Sequence, residues 1–390
     1  MDLEFNDEQH LLRETVRRVC AEHASLDVVR KMEDDPTGFP AAFWKQLAET
    51  GITGLLIPES HGGAGMSFLD AAIVYEEFGR SLAPSPHFAS AVLGAGVLLA
   101  AGGDALQRSW LPRIASGEAI LTPAWIEPDG GFGPRGVQLR AEQARLGADA
   151  ANGDFVLRGI KRHVPFASAA TRLLVLARTG PEDDAIDLFL VDPQAPGVTL
   201  TQQRSLASDT QYELRLDDVR VPAAARIGDA GSGWTTWNRV LLDGVVLLAA
   251  LAMGGAERAL EITVQYAKDR EQFDKPLGAF QAIAHYLADA ATAVDGGKML
   301  VYEAAWARAE GRSTARLAPM AKLFACQTWR DVTAMCQQVW GGVGFTLEYD
   351  IQLYFRRAKQ LQITWWDAKL LEERIASAIL DGDQPFRSGS

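Results

Sequence analysis

Three cysteines in 390 residues, Cys20, Cys326 and Cys336, are too few and too scattered for a disulfide framework. None sits in a CxxC pair that would hold zinc. Basic residues are also short. Lys and Arg number 38 against 50 Asp and Glu, so the net charge is −12, without the basic footprint that broad nucleic-acid binding needs. A small anionic ligand held by a local basic cluster stays open. No apolar run reaches the ~18–20 residues that span a bilayer, and the longest, Phe88–Ala101, reads as a buried helix. The acidic opening MDLEFNDEQH carries no signal-peptide pattern, so a cytoplasmic location is expected. No internal repeat, low-complexity linker, Walker motif, Ser/His/Asp set or metal-ligand cluster stands out, and no metal is expected.

What is present is ordinary globular composition, 48% hydrophobic and 23% charged. The length allows two or three domains at a prior of ~150 residues each. Asn6 followed by Gln9 resembles a capping box, and Leu12, Val16 and Val19 recur at helical spacing. From Ile120 to Pro222 the period changes to short apolar segments bounded by turns, and Tyr212–Leu216 alternates as a half-buried strand does. No helical pattern lies between these strands, which predicts an antiparallel β-domain rather than a doubly wound fold. The helical period returns over 234–268, 279–310, 315–340 and 350–382, as in an antiparallel four-helix bundle. The expected fold class is α+β, with an N-terminal helical domain (1–118), a central β-domain (119–225) and a C-terminal bundle (226–390).

Two features carry bland readings. Gly131-Phe132-Gly133-Pro134-Arg135-Gly136 fits GxGxxG, but Pro134 sits inside it and strand-like alternation follows it, so it reads as a glycine-rich turn and not a dinucleotide fingerprint. His163, beside Lys161 and Arg162, is the histidine most worth weighing, yet a lone histidine is more often a surface or packing residue.

The richest constellation runs from Tyr266 to Gln281, YAKDREQFDKPLGAFQ. It resembles the acyl-CoA dehydrogenase signature Tyr-Ala-x-x-Arg-x-x-Phe-Gly-x-Pro-Ile-x-x-Phe-Gln. Gln338-Val339-Trp340-Gly341-Gly342-Val343-Gly344 is similar to that family's Gln-x-x-Gly-Gly-x-Gly segment, and Ile57-Pro58-Glu59 with His61-Gly62-Gly63 to an N-terminal one. The resemblance covers nearly the whole chain in order, and it implies an acyl-CoA dehydrogenase fold. It further implies removal of a proton α to a thioester carbonyl, hydride transfer from the β-carbon to FAD, and an electron-transfer acceptor that takes the electrons onward. In the family, one subunit holds the flavin ring and the substrate, and its neighbour lends residues to the adenosine diphosphate half. That lent set is present here as Arg270, Phe273, Gln281, Gln338, Gly341 and Gly342. A fixed guanidinium suits a pyrophosphate, and glycine lets backbone amides approach closely. Asp274 stands where the family usually has glycine.

The ring-facing set departs. The family's Thr-Glu-Pro-x-x-Gly-Ser loop reads Ile126-Glu127-Pro128-Asp129-Gly130-Gly131-Phe132, and its Lys-x-Trp-Ile-Thr segment reads Lys161-Arg162-His163-Val164-Pro165. The hydroxyls are gone, and Pro165 has no backbone N–H. The position of the usual catalytic glutamate is Trp365, whose indole has no lone pair suited to proton abstraction. The alternative position in the first bundle helix is Gly244. Asp243 beside it is offset by about 100° around a helix, and Asp367 follows Trp366. These two are the only weak substitutes for the base.

The resemblance is strongest to glutamate-lacking subunits of two-gene members acting on steroid side-chain or dicarboxylyl thioesters, including in the Gly344–Asp350 segment. It implies a hetero-oligomer with a paralogous subunit that carries the glutamate, and an acyl-CoA thioester as substrate. Two other readings stay open at this point, a self-sufficient flavoenzyme with a non-standard base and a flavin-free scaffold.

Overall fold

The computed structural model describes residues 5–144 and 153–382. In chain order it contains α1 (Asp7–His23), α2 (Leu26–Lys31), α3 (Ala41–Glu49), α4 (Phe68–Ser81), α5 (Ala95–Ala101) and α6 (Asp104–Ala115). The strands β1 (Leu121–Ala124), β2 (Arg140–Gln143), β3 (Phe155–Pro165), β4 (Arg172–Arg178), β5 (Ile186–Val191), β6 (Val198–Gln203), β7 (Gln211–Val221) and β8 (Arg226–Ile227) follow. The remainder is α7 (Gly233–Asp269), a small hairpin of β9 (Glu271–Gln272) and β10 (Lys275–Pro276), then α8 (Gln281–Ala309), α9 (Leu317–Trp340), α10 (Ile351–Ile363) and α11 (Ala368–Leu380). The chain folds into two compact units, a helical one of 1–30, 67–83 and 245–390, and a sheet-bearing one of 31–66 and 84–244.

The sheet-bearing unit is organised by one sheet in the order β6-β7-β3-β2-β4-β5-β8, with β1 added beside β4. Its long pairings are antiparallel, as the sequence predicts, with one difference. β1 runs parallel to β4, with Leu121 opposite Arg172 and Ala124 opposite Val175. The intervening loop, β2 and β3 supply the crossover that a parallel pair requires. β3 and β7 pair along their length, broken by irregularities between Leu157 and Gly159 and between Lys161 and Val164. Inward residues of this sheet, among them Leu157, Val175, Phe189, Leu214 and Val219, are fully buried and form one apolar core. The apolar run Phe88–Ala101 is buried as expected, and it opens on a widened helical stretch, Phe88–Gly94, before α5.

In the helical unit the Asn6–Gln9 capping box is formed, with each side chain accepting from the other residue's backbone N–H. α9 is the central element, flanked by α8, α10 and α11, while α4 packs on α1 and α8. α4 also crosses α7 almost backbone to backbone. A Cβ on Gly254 would lie 1.9 Å from the Glu76 carbonyl oxygen, so only glycine fits there. The crossing buries two carboxylates, and each is paired. Glu77 takes both nitrogens of the Arg17 fork at 2.9 and 2.7 Å. Glu76 takes Lys298 at 3.0 Å and the Tyr302 hydroxyl. Unpaired, either charge would be strongly destabilising.

One expected helix is two. The 350–382 segment breaks after Ile363, where Trp365 and Trp366 adopt left-handed backbone angles, φ 53° and 77°. No glycine or proline marks the break, because the turn is imposed by tertiary contacts described below. α7 is long and apolar enough to cross a membrane, but its most apolar stretch is 78% buried, which is the signature of a core helix. Cys20, Cys326 and Cys336 are buried free thiols.

Candidate cofactor site

The residues named from sequence fall into two sets, one in each unit. The first set gathers where α7 and α9 end. Trp340 stacks on Tyr266 with ring centroids 4.0 Å apart, and its Nε1–H donates to Thr263 Oγ1 at 3.1 Å. This contact brings the last turn of α9 against the last turns of α7. Arg270 lies one turn past Tyr266. Its backbone N–H donates to Tyr266 O, while its side chain is exposed and makes no ion pair among the described residues. The chain then reverses in the β9–β10 hairpin, whose two turn residues are Phe273 and Asp274, with φ 55° and 61°.

Two successive left-handed residues are what a tight hairpin turn of this type needs, and the usual choice is Asn-Gly. A bulky aromatic there is strained. It is nevertheless 86% exposed, touching Phe280 edge-on at 6.2 Å. Gln281 opens α8 and is exposed, as is Gln338 in the final turn of α9. Gly341 ends that helix at φ 66°, ψ −145°, a region essentially reserved for glycine. Neither Gly341 nor Gly342 has an atom within 4 Å of where a Cβ would project, so their backbone faces open space. Cation, amides, aromatic ring and glycine backbone are thus carried, exposed, on the helix ends that the Tyr266–Trp340 stack joins, a set whose chemistry suits a phosphate-bearing ligand.

The second set surrounds the loop 126–138 in the sheet-bearing unit. Its scaffold is strongly built. Glu127 is buried and accepts from the backbone N–H groups of Gln138 and Leu139, both at 2.9 Å. It also accepts from Lys161 Nζ at 2.6 Å, and the Lys161 side chain is 0% exposed. Burial pulls the Lys161 ammonium down to about 8, against the opposing pull of the Glu127 carboxylate. From the other side Arg178 donates to the carbonyls of Val137, Pro134 and Glu182 at 2.9, 2.9 and 2.6 Å.

The ligand-facing positions named from sequence are apolar. Ile126 is joined to β3 through its carbonyl, which accepts from Arg162 N at 2.8 Å. Phe132 leans on Trp125, whose ring lies 5.3 Å from Trp237, giving an aromatic cluster. Pro165 contributes only a carbonyl, which accepts from the Thr122 hydroxyl at 2.5 Å. The side chains of Ile126, Phe132 and Pro165 have no hydroxyl to offer polar ring atoms of a flavin. This face keeps the loop but lacks the side-chain hydroxyls that the resemblance leads one to expect at these three positions. His163 is exposed and pinned by Gln203 and Gln211, with its Nδ1–H donating to Gln211 Oε1 at 2.9 Å.

The base positions are equally informative. Gly244 is buried, and a Cβ there would meet Leu93 at 3.1 Å and Phe88 at 3.4 Å, so a longer side chain would be driven into an apolar wall. Asp243 is inside α7, half-buried and already engaged, rather than capping or solvated. Asp367 is the N-cap of α11, its Oδ1 accepting from Leu370 N at 3.0 Å. Trp365 is half-buried, and Trp366 is buried under the Arg374 guanidinium, 3.8 Å from the ring centroid. Lys322 of α9, fully buried, donates to Leu361 O at 3.0 Å and Thr364 O at 3.2 Å. It thereby fastens the end of α10, where a cation suits the helix dipole. Sequence reasoning missed Lys322, although a single lysine inside the apolar stretch Met320–Cys326 is a legible sign of a charge on a buried face. Arg178 carries no comparable signal.

Comparison with known proteins agrees with this architecture. Three family profiles match in order: the acyl-CoA dehydrogenase N-terminal domain over 6–118, the middle domain over 124–219 and the C-terminal domain over 231–380. A Bacillus subtilis (strain 168) protein named probable acyl-CoA dehydrogenase is 33% identical over 391 residues, covering 97% of this chain and 100% of that one. The structure of butyryl-CoA dehydrogenase from Megasphaera elsdenii superposes with a TM-score of 0.89 at 27% identity, covering 97% and 99% of the two chains. The ChsE4-ChsE5 complex from Mycobacterium tuberculosis gives 0.86 at 28% identity, covering 99% and 100%. The chain belongs to the acyl-CoA dehydrogenase family, whose members are FAD-dependent oxidoreductases acting on CH–CH groups.

Proposed function

We propose that this chain is the base-lacking subunit of a hetero-oligomeric acyl-CoA dehydrogenase. It lends Arg270, Phe273, Gln281, Gln338 and the Gly341-Gly342 backbone to the adenosine diphosphate half of a FAD whose ring lies in a paralogous subunit carrying the glutamate. The observation that carries this reading is the contrast between the two sets. The exposed corner of the helical unit keeps a solvent-facing guanidinium and open glycine backbone, while Ile126, Phe132 and Pro165 offer no side-chain hydroxyl to a ring.

FAD, when bound, supplies hydride-accepting chemistry for α,β-dehydrogenation of an acyl-CoA thioester. This chain's part is binding and placement. Arg270 neutralises phosphate charge from a planar fork, and Gly341 and Gly342 let peptide N–H groups approach anionic oxygens. Proton abstraction falls to the partner's glutamate, since Trp365 has no basic atom and Asp367 is committed to a helix cap. The ChsE4-ChsE5 structure, a complex of two differently named proteins, supports a paired assembly. The substrate class is a fatty or steroid side-chain thioester. An electron-transfer acceptor completes the cycle, and the location is cytoplasmic. The domains are 1–118, 119–225 and 226–390.

Flavin absorbance against total protein tests the reading. The complex with the glutamate-bearing paralogue should hold one FAD per two chains. Arg270→Ala in this chain alone should weaken FAD retention by roughly 10–100-fold, the worth of one charge-assisted hydrogen bond. One FAD per chain, or full retention in the variant, would refute it.

A further inference from the structure

Gln337 lies one residue before Gln338, in the last turn of α9, and is 3% exposed. Both ends of its amide, Oε1 and Nε2, are buried, and neither has a hydrogen-bond partner among the described residues. Such a group is rare, since the great majority of buried side-chain polar atoms are paired.

The amide faces a specific segment. Gln337 Oε1 lies 2.7 Å from where a Cβ on Gly344 would stand, and Gly344 is itself buried. Residue 344 must be glycine for the amide to occupy this place. The backbone carbonyl of Gln337 already accepts from Gly341 N, the first residue of the tight helical turn Gly341–Phe345. One residue therefore meets the turn twice, by main chain at its start and by side chain at its fourth residue.

We propose that Gln337 is a positioning residue that holds the Gly341–Phe345 turn through a buried water bridging its amide to the turn's backbone. A water with two to four polar partners is the ordinary occupant of such a place, and bridging water binds nearly as well as a direct hydrogen bond. The consequence is directional. Gly341 and Gly342 can adopt many conformations, and Gln337 fixes the one in which the Gly341 N–H closes α9 and the sites of both missing Cβ atoms stay open. That use rests on the function proposed above, but the positioning itself does not.

Hydrogen exchange on the purified full chain tests it without any flavin. Gln337→Leu keeps the side-chain volume and removes the amide that the bridge needs. Amides of Gly341–Phe345 should exchange about tenfold faster, while those of the rest of α9 keep their protection. Gly344→Ala should loosen the same turn, because its Cβ would meet both the Gln337 amide at 2.7 Å and the Trp340 Cβ at 2.8 Å. A crystal structure should show a water within hydrogen-bond distance of Gln337. Unchanged exchange of the turn in both variants, loss of protection spread over all of α9, or a dry amide would each overturn the proposal. Failure of Arg270→Ala to release FAD would instead strike the half-site reading and leave this one standing.

Discussion

The corner at the ends of α7 and α9 and the loop 126–138 depart from the family pattern in opposite ways. In the corner, the groups that would meet a ligand are intact, and the turn that carries Phe273 holds it in a strained left-handed conformation. In the loop, the supports are intact, with Glu127, Lys161 and Arg178 all engaged, and the outward side chains are replaced. A loop that had simply decayed would lose its buried ion pair first, because an unpaired buried charge is costly. The pair ties the loop to β3 whatever its outward side chains are.

The largest effect that would break this contrast is catalytic. The chain purified without its paralogue should show little or no acyl-CoA dehydrogenase activity, since a general base contributes ~10²–10⁴-fold. Robust turnover on common acyl-CoAs, abolished by Asp243→Asn, would return the base to this chain. Next in size is the loop's support. Lys161→Met leaves Glu127 buried and unpaired and should cost about 3–5 kcal/mol in denaturant unfolding, with most of it recovered by adding Glu127→Gln. A loss under about 1 kcal/mol would mean the pair does not hold the loop.

A third prediction uses a histidine the sequence reading passed over. His87 is buried, its Nε2–H donates to Ile52 O at 2.9 Å, and burial pulls it down to about 4. In the unfolded chain it titrates near 6.5. Between those values only the unfolded state takes up the proton, so stability is present above about pH 6.5 and falls as pH drops towards 4. The loss is about 3 kcal/mol for a shift of this size. The difference between wild type and His87→Gln across that window isolates it; parallel curves would count against it. The smallest effect belongs to the corner. Asp274→Gly relieves one left-handed residue and should stabilise the chain by less than about 1 kcal/mol, read as a small rise in thermal midpoint. A fall would show that the Asp274 side chain contributes a contact of its own.

Much of this was legible in the sequence because it is periodic or punctuated. The α–β–α order, the Asn6 cap and the buried Phe88–Ala101 run follow from spacing alone. The GxGxxG look-alike is a turn, with only a short helical twist at Pro134–Gly136 before β2. What was hidden is conformation imposed against local preference. The Phe273-Asp274 turn lacks the Asn-Gly that announces such hairpins. The break at Trp365-Trp366 carries no breaker residue because Lys322, Asp367 and Arg374 hold it from outside. The parallel β1–β4 pair joins segments far apart in the chain, Leu121 with Arg172, which no local window reports. In the candidate site the identities were visible and their condition was not. Sequence named Arg270 and Gly341 but could not say that one is solvent-facing and the other open, or that Lys161 is a core residue.

The aromatic cluster of Trp125, Phe132 and Trp237 gives the loop an optical signature. Two indoles with ring centroids 5.3 Å apart and planes 53° apart couple their strong electronic transitions and should give a paired band in the far-ultraviolet circular dichroism spectrum. Phe132 rests on Trp125 at 5.8 Å, so displacement of the loop would alter that band without any label. The protein thus carries its own spectroscopic gauge of this loop, readable when a paralogous subunit, FAD or an acyl thioester is added.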